Sequence, residues 1–154
     1  MLQSQDIDIF KAKIDALLHN CNCFHTMGGG IALAIKNKFH SAYVADLETE
    51  YASRHKLGLF SVGRVSTDPN IKFIVNLYAQ YSFGTDRVQL DYNAFEAGVR
   101  RVVTWAEGEN PKMVIGIPYG IGCSLAGGSW PSVKKILEKS FMNTTVKGLV
   151  CRKV

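Results

Sequence analysis

Apolar and polar positions change period several times along the chain, and each change marks an element. "IDALLHNC", Ile14 to Cys21, is a short apolar run ending in polar residues. That is the pattern of a buried strand whose carboxyl end opens into a loop. "GIALAIKNKF" then sets Ile31, Ala34, Ile35 and Lys38 at helical spacing, with Gly28, Gly29 and Gly30 where the helix begins. Strand, glycine loop, helix is the implied order. "LFSVGRVST" and "KFIVNLYAQY" are rich in β-branched and aromatic residues and flank Asp68, Pro69 and Asn70. Proline presets its own φ and Asp and Asn favour turn positions, so the two runs are expected to form a hairpin or neighbouring strands.

Between Asp91 and Glu107, Tyr92, Phe95, Val99, Val102 and Val103 fall on one stripe, which predicts a helix capped by Asp91. "KMVIGIPYGIGCSLAGGSW" repeats the first design, with a strand from Met113 to Ile117 running into a second glycine-rich loop. "WPSVKKILEKSF" reads as a helix with Pro131 near its first turn, where a missing N–H costs little. "VKGLVCRKV" closes the chain as a strand. This alternation predicts one α/β domain over residues 1–154, a three-layer α/β/α sandwich with helices on both faces of a mixed sheet.

Composition narrows the class. The 154 residues are 47% apolar and 20% charged, as in an ordinary globular domain. No apolar run approaches the roughly 18 residues of a membrane span. The start "MLQSQDIDIF" has no basic stretch followed by an apolar core, so a cytoplasmic protein without membrane contact is expected, and its size favours a monomer. Cys21, Cys23, Cys123 and Cys151 are expected as reduced thiols. One residue between Cys21 and Cys23 fits neither a redox pair nor a zinc knuckle, and neither a metal nor a cofactor is expected. The net charge of +5 favours anionic partners, although the basic residues are scattered rather than gathered in a stripe.

The two glycine loops are the candidate chemistry. In open α/β sheets ligands sit beyond the carboxyl ends of strands, where helices begin with unpaired N–H groups. A glycine there lets backbone N–H groups approach a phosphate closely. Neither loop has the spacing of a P-loop or a dinucleotide fold. Each loop alone fits a tight connection as well as an anion cradle.

Together they resemble something specific. "GGGIALAI" after "CN", combined with "IPYGIGCSLAGGSW", is similar to the macro domain family, which binds ADP-ribose. "DIFKAKIDALLHNCN" matches the family's opening, with Asp8 followed seven residues later by Asp15. The style of "HNCNCFHTMGGGIA" resembles the branch of ADP-ribose 1″-phosphate phosphatases and ADP-ribosyl hydrolases. The resemblance implies that Asp8 accepts the adenine amino group with the Ile9 N–H beside it, although Asp8 also fits a helix or turn cap. It implies that Asn22 holds the distal ribose, that Gly28, Gly29, Gly30 and Ile31 wrap one phosphate, and that Gly120, Ile121, Gly122, Cys123, Ser124 and Leu125 cover the other side of the diphosphate. Asn20 lies two residues before Asn22, so a regular strand turns both to one side.

His25, beside the first loop, is the candidate for proton transfer because its ordinary pKa lies near neutrality; a surface loop histidine is the alternative. His19 fits a core contact. Tyr81, Ser82 and Phe83 follow a strand and are placed to edge the distal ribose, Phe83 as an apolar wall. The sequence departs from the family where relatives with a hydrolytic carboxylate often carry it, as in "GLAGGDW": this chain has Ser129 in "SLAGGSW", and "NLYAQYSFG" has no lysine of the kind that forms a covalent intermediate in one deacylating subgroup. What remains is catalysis by positioning, with Asn22 and His25, or recognition alone. The resemblance therefore implies a hydrolase acting on ADP-ribose 1″-phosphate or on ADP-ribosylated protein or nucleic acid, with a non-catalytic ADP-ribose reader as the alternative. A nucleic-acid binder resting on charge lacks the interleaved aromatics such surfaces use.

Overall fold

Alternation along the strands decides which face of the sheet each side chain takes. The computed structural model describes residues 1–154. Six strands, β1 (Leu2–Asp6), β2 (Ala16–Cys21), β3 (Phe60–Arg64), β4 (Phe73–Tyr78), β5 (Val114–Pro118) and β6 (Lys147–Arg152), form one sheet in the order β1-β6-β5-β2-β4-β3. Every pairing is parallel except β3 against β4, so the sheet is mixed, as the sequence predicts. Four helices flank it: α1 (Gly30–Lys38), α2 (His40–Leu47), α3 (Tyr92–Glu109) and α4 (Trp130–Ser140).

On β2, Ala16 and Leu18 face Phe95, Val99 and Val102 of α3 and Val133 and Leu137 of α4. Leu17, between them, faces Ile35 of α1 and Ala42 of α2. Three layers result, and each fully buried Leu, Ile or Phe in them contributes about 1.5–3 kcal/mol. Asp91 caps α3 by accepting a hydrogen bond from the Ala94 N–H at 3.0 Å, and Pro131 stands in the first turn of α4. No helix is long and apolar enough to cross a membrane.

Two elements have no counterpart in the sequence reading. β1 is an edge strand of largely exposed polar residues, and α2 follows α1 with only Phe39 between them. α2 packs tightly on β3 at Gly63, where a Cβ would lie 2.7 Å from the N and Cα of Ala42. That close approach sets the position of α2 over the sheet.

Candidate functional site

The carboxyl ends of β2, β4 and β5 open on one cavity of about 590 Å³. β2 and β5 are neighbours, and the chain leaves them for helices on opposite faces, α1 and α4. A crevice beyond strand ends at such a divergence is where open α/β sheets bind ligands.

The first wall comes from the end of β2 and the segment after it. Asn20 donates through Nδ2 to Gln80 Oε1 at 2.6 Å and accepts from the Ala79 N–H, which fixes its amide at the cavity edge. Asn22 accepts from the Phe24 N–H at 2.8 Å and donates to Thr26 Oγ1 at 2.5 Å. It is thus a turn residue and a wall residue at once. Gly29 caps α1 without any side-chain bond, and no acceptor in the protein takes the N–H groups of Gly30, Ile31 and Ala32. Gly30 has φ +55°, a left-handed conformation that glycine adopts without strain.

The second wall is the loop after β5. Its turns use the N–H groups of Ile121 and Cys123, which donate to Pro118 O and Gly120 O at 3.0 and 2.8 Å. The N–H groups of Gly122, Ser124 and Leu125 are left without a protein acceptor, and all three residues line the cavity. Two sets of unpaired donors therefore border one space, the arrangement that receives an anion. The wall includes no Lys, Arg or His.

Most residues singled out in the sequence meet here: Asn20, Asn22, Gly28, Gly29, Gly30, Ile31, Phe83, Gly120, Ile121, Gly122, Ser124 and Leu125 all line the cavity. Asp8 and Ile9 border an adjoining hollow of about 330 Å³ that shares Ile31, Pro118 and Tyr119 with it. Asp8 Oδ1 caps a short 3₁₀ turn by accepting from the Phe10 N–H at 3.0 Å, and its Oδ2 lies 3.9 Å from Lys153 Nζ. The cap is real and uses one oxygen; the other is paired only with the exposed Lys153 ammonium. Asp15 is structural, bonding through Oδ2 to the Val114 N–H at 2.8 Å.

Four candidates stand elsewhere, Ser82 among them, outside the wall with its carbonyl accepting from Gln80 Nε2 at 2.7 Å. His25 turns away from the cavity: its Nε2 is 2.9 Å from Thr49 O and its ring meets Tyr51 edge-on. Tyr81 is outside the wall, with its hydroxyl donating to Ala52 O and Arg54 stacked on its ring. Cys123 is tied back to Ile121 O and packs against the core. His19 is a core residue, as the sequence suggests, and burial lowers its pKa to about 4. Burial also raises the thiols of Cys21, Cys23, Cys123 and Cys151, which keeps them neutral at neutral pH.

Among the wall residues that the sequence reading did not single out, two bear on the chemistry. Tyr119, between Trp130 at 4.8 Å and the Arg152 guanidinium at 4.7 Å, belongs to both the cavity and the hollow. Asp46, on α2, is 1% exposed yet lines the cavity. Its Oδ1 accepts from the Tyr78 hydroxyl at 2.7 Å.

No protein-family model matches the chain. An uncharacterized 17.5 kDa protein from the tk-vs intergenic region of Enterobacteria phage T4 is 31% identical over 134 residues, 86% of this chain and 84% of that one. The chain belongs to one family with that phage protein. Among solved structures, the macrodomain of Mycobacterium tuberculosis DarG superposes over 100% of this chain and 99% of its own, with a TM-score of 0.80 at 20% identity. The fold is a macrodomain. Thermosipho africanus DarTG, solved in complex with ADP-ribose, matches 97% of this macrodomain and 41% of its own chain, with a TM-score of 0.72 at 19% identity.

Proposed function

We propose that the cavity binds ADP-ribose and that the chain hydrolyses a bond at the distal ribose 1″ position. The observation that carries this reading is the pair of unpaired N–H sets, from Gly30, Ile31 and Ala32 and from Gly122, Ser124 and Leu125, bordering one space. A diphosphate between them replaces water on six donors, and the N-terminus of α1 adds its favourable field. The adenine then lies in the adjoining hollow, with Asp8 Oδ2 accepting its amino group, the Ile9 N–H beside it, and Tyr119 as the surface between base and diphosphate. The distal ribose lies toward Asn20, Asn22 and Phe83, where amide groups meet its hydroxyls. The complex of the similar DarTG with ADP-ribose supports the ligand.

The substrates are ADP-ribose 1″-phosphate, or a protein or nucleic acid carrying ADP-ribose. Ser129, at a position where the resemblance implies that relatives with a hydrolytic carboxylate often carry it, favours a reader that binds without turnover as the second reading. Incubating the protein with ADP-ribose 1″-phosphate, and separately with an ADP-ribosylated protein, separates the two. Release of inorganic phosphate or free ADP-ribose, abolished by Asn22→Ala, is the expected result. Binding without release of either product leaves the reader.

A further inference from the structure

The cavity wall contains a single carboxylate, and it comes from an element remote from both glycine loops. Asp46 is 1% exposed, and one of its oxygens is fixed by the Tyr78 hydroxyl at 2.7 Å. No protein donor takes Oδ2, and no buried side-chain oxygen or nitrogen lacks a partner. Oδ2 is therefore not sealed off by protein, and Asp46 is one of the residues lining the cavity. Its position follows from the sheet: Tyr78 pairs with Cys21 at the ends of β4 and β2, just where Asn22 begins the first wall.

The surroundings hold the carboxylate in place. Tyr78 lies between Asp46 and Ser61, whose Oγ is 2.8 Å from the phenol oxygen, and Ser61 accepts from Asn76 Nδ2 at 3.0 Å. Burial pushes the Tyr78 phenol well above its usual range, so it remains a donor to Asp46. The Lys56 ammonium lies over the Tyr78 ring at 4.5 Å and supplies a nearby positive charge. A carboxylate fixed through one oxygen, with the other unpartnered in a residue that lines the cavity, is the arrangement of a positioned acid–base group.

We propose that Asp46 is the general base and then the general acid of this cavity. The proposal rests on the hydrolytic reading above and names the group that Ser129 cannot supply. With ADP-ribose 1″-phosphate, a water oxygen bonds to phosphorus while the bond from phosphorus to O1″ breaks. Asp46 Oδ2 takes one proton from that water and returns it to the departing O1″. The second water hydrogen stays on the phosphate, so ester and water become ADP-ribose and inorganic phosphate with no change of oxidation state. The wall has no other carboxylate and no imidazole to perform the transfer.

The test measures phosphate release from ADP-ribose 1″-phosphate and ADP-ribose binding for wild type, Asp46→Asn, Asp46→Ala and Tyr78→Phe. Asp46→Asn is expected to lower kcat by about 10² to 10⁴, the range of acid–base assistance, while ADP-ribose affinity is retained. Tyr78→Phe keeps the carboxylate and is expected to lose less. Added formate is expected to restore part of the rate to Asp46→Ala, as an external carboxylate does for a missing base. An Asp46→Asn rate close to wild type, or an equal loss in Asp46→Asn and Tyr78→Phe without formate rescue, overturns the assignment while leaving the hydrolytic reading standing. A wild type that binds ADP-ribose and releases nothing overturns both. If Asp46→Asn loses its fold, formate rescue of Asp46→Ala in comparison with Tyr78→Phe decides the matter.

Discussion

The His19 imidazole is held inside the sheet by Asn76. Both amide hydrogens of Asn76 are committed, to Ala42 O and to Ser61 Oγ at 3.0 Å each, so its Oδ1 is the acceptor and His19 Nε2–H the donor at 2.6 Å. Burial lowers this histidine from 6.5 to about 4. Above pH about 6.5 the ring is neutral in folded and unfolded chains, and its full contribution to stability is present. As pH falls from 6.5 toward 4 the unfolded chain takes a proton that the folded one refuses, and stability declines by on the order of 3 kcal/mol in all. Urea unfolding at pH 7 and pH 5 is expected to show about 2 kcal/mol of this loss in wild type and a smaller loss in His19→Gln; equal losses contradict it. At Asp8 the two carboxylate oxygens divide between a cap and the proposed adenine contact. Asp8→Ala is expected to weaken ADP-ribose by one to two decades, the effect of a charge-assisted hydrogen bond of about 1.5–3 kcal/mol. Ribose 5-phosphate, which has no adenine, is expected to weaken less; equal weakening in calorimetry returns Asp8 to a cap alone. At His25 the sequence gives adjacency to the glycine loop but not direction. His25 and Met27 both take left-handed backbone, φ 58° and 40°, and the imidazole finishes against Thr49 rather than the cavity.

The elements that were legible in the sequence are those with a strong period or a chemical boundary. α3 announces itself by the stripe Phe95, Val99, Val102 and Val103 and by the Asp91 cap, and β2 by an apolar run that stops at Asn20. β1, "LQSQD", is an edge strand with only Leu2 out of full exposure, so it has no alternation to read. α2 has no side-chain cap, and Phe39 both ends α1 and begins it. That silence hid Asp46, which reaches the cavity only because α2 folds back over β3. Gly63 permits this packing. In Gly63→Ala the added methyl meets the Ala42 backbone at 2.7 Å, and overpacking of this kind costs about 1–3 kcal/mol. Urea unfolding should show that loss, and because Asp46 lies one turn further along α2, turnover should fall more than ADP-ribose affinity. Unchanged stability would mean that α2 yields freely and does not fix Asp46.

Across the whole molecule, the sheet gathers at one end what the sequence scatters. Loops about a hundred residues apart supply the two donor sets because β2 and β5 are neighbours in the sheet. The motifs gave each loop its identity, but only the topology shows that their free N–H groups share a space. The net charge of +5 does not enter this cavity wall, which carries no basic side chain, so anion recognition falls on backbone dipoles. Binding a ligand to the folded state alone raises stability by mass action, so a saturating ligand should also raise Tm. The most direct measurement is a calorimetric titration of ADP-ribose into wild type and Gly28→Glu. Gly28 has no positive φ, and a Cβ there meets nothing closer than Thr26 O at 3.8 Å, so the variant keeps the fold while adding a negative charge to the cavity wall. A saturable one-to-one heat in wild type, lost in Gly28→Glu with an unchanged circular dichroism spectrum, is the predicted result; a folded wild type that gives no heat, or a variant that binds as well as wild type, contradicts the account.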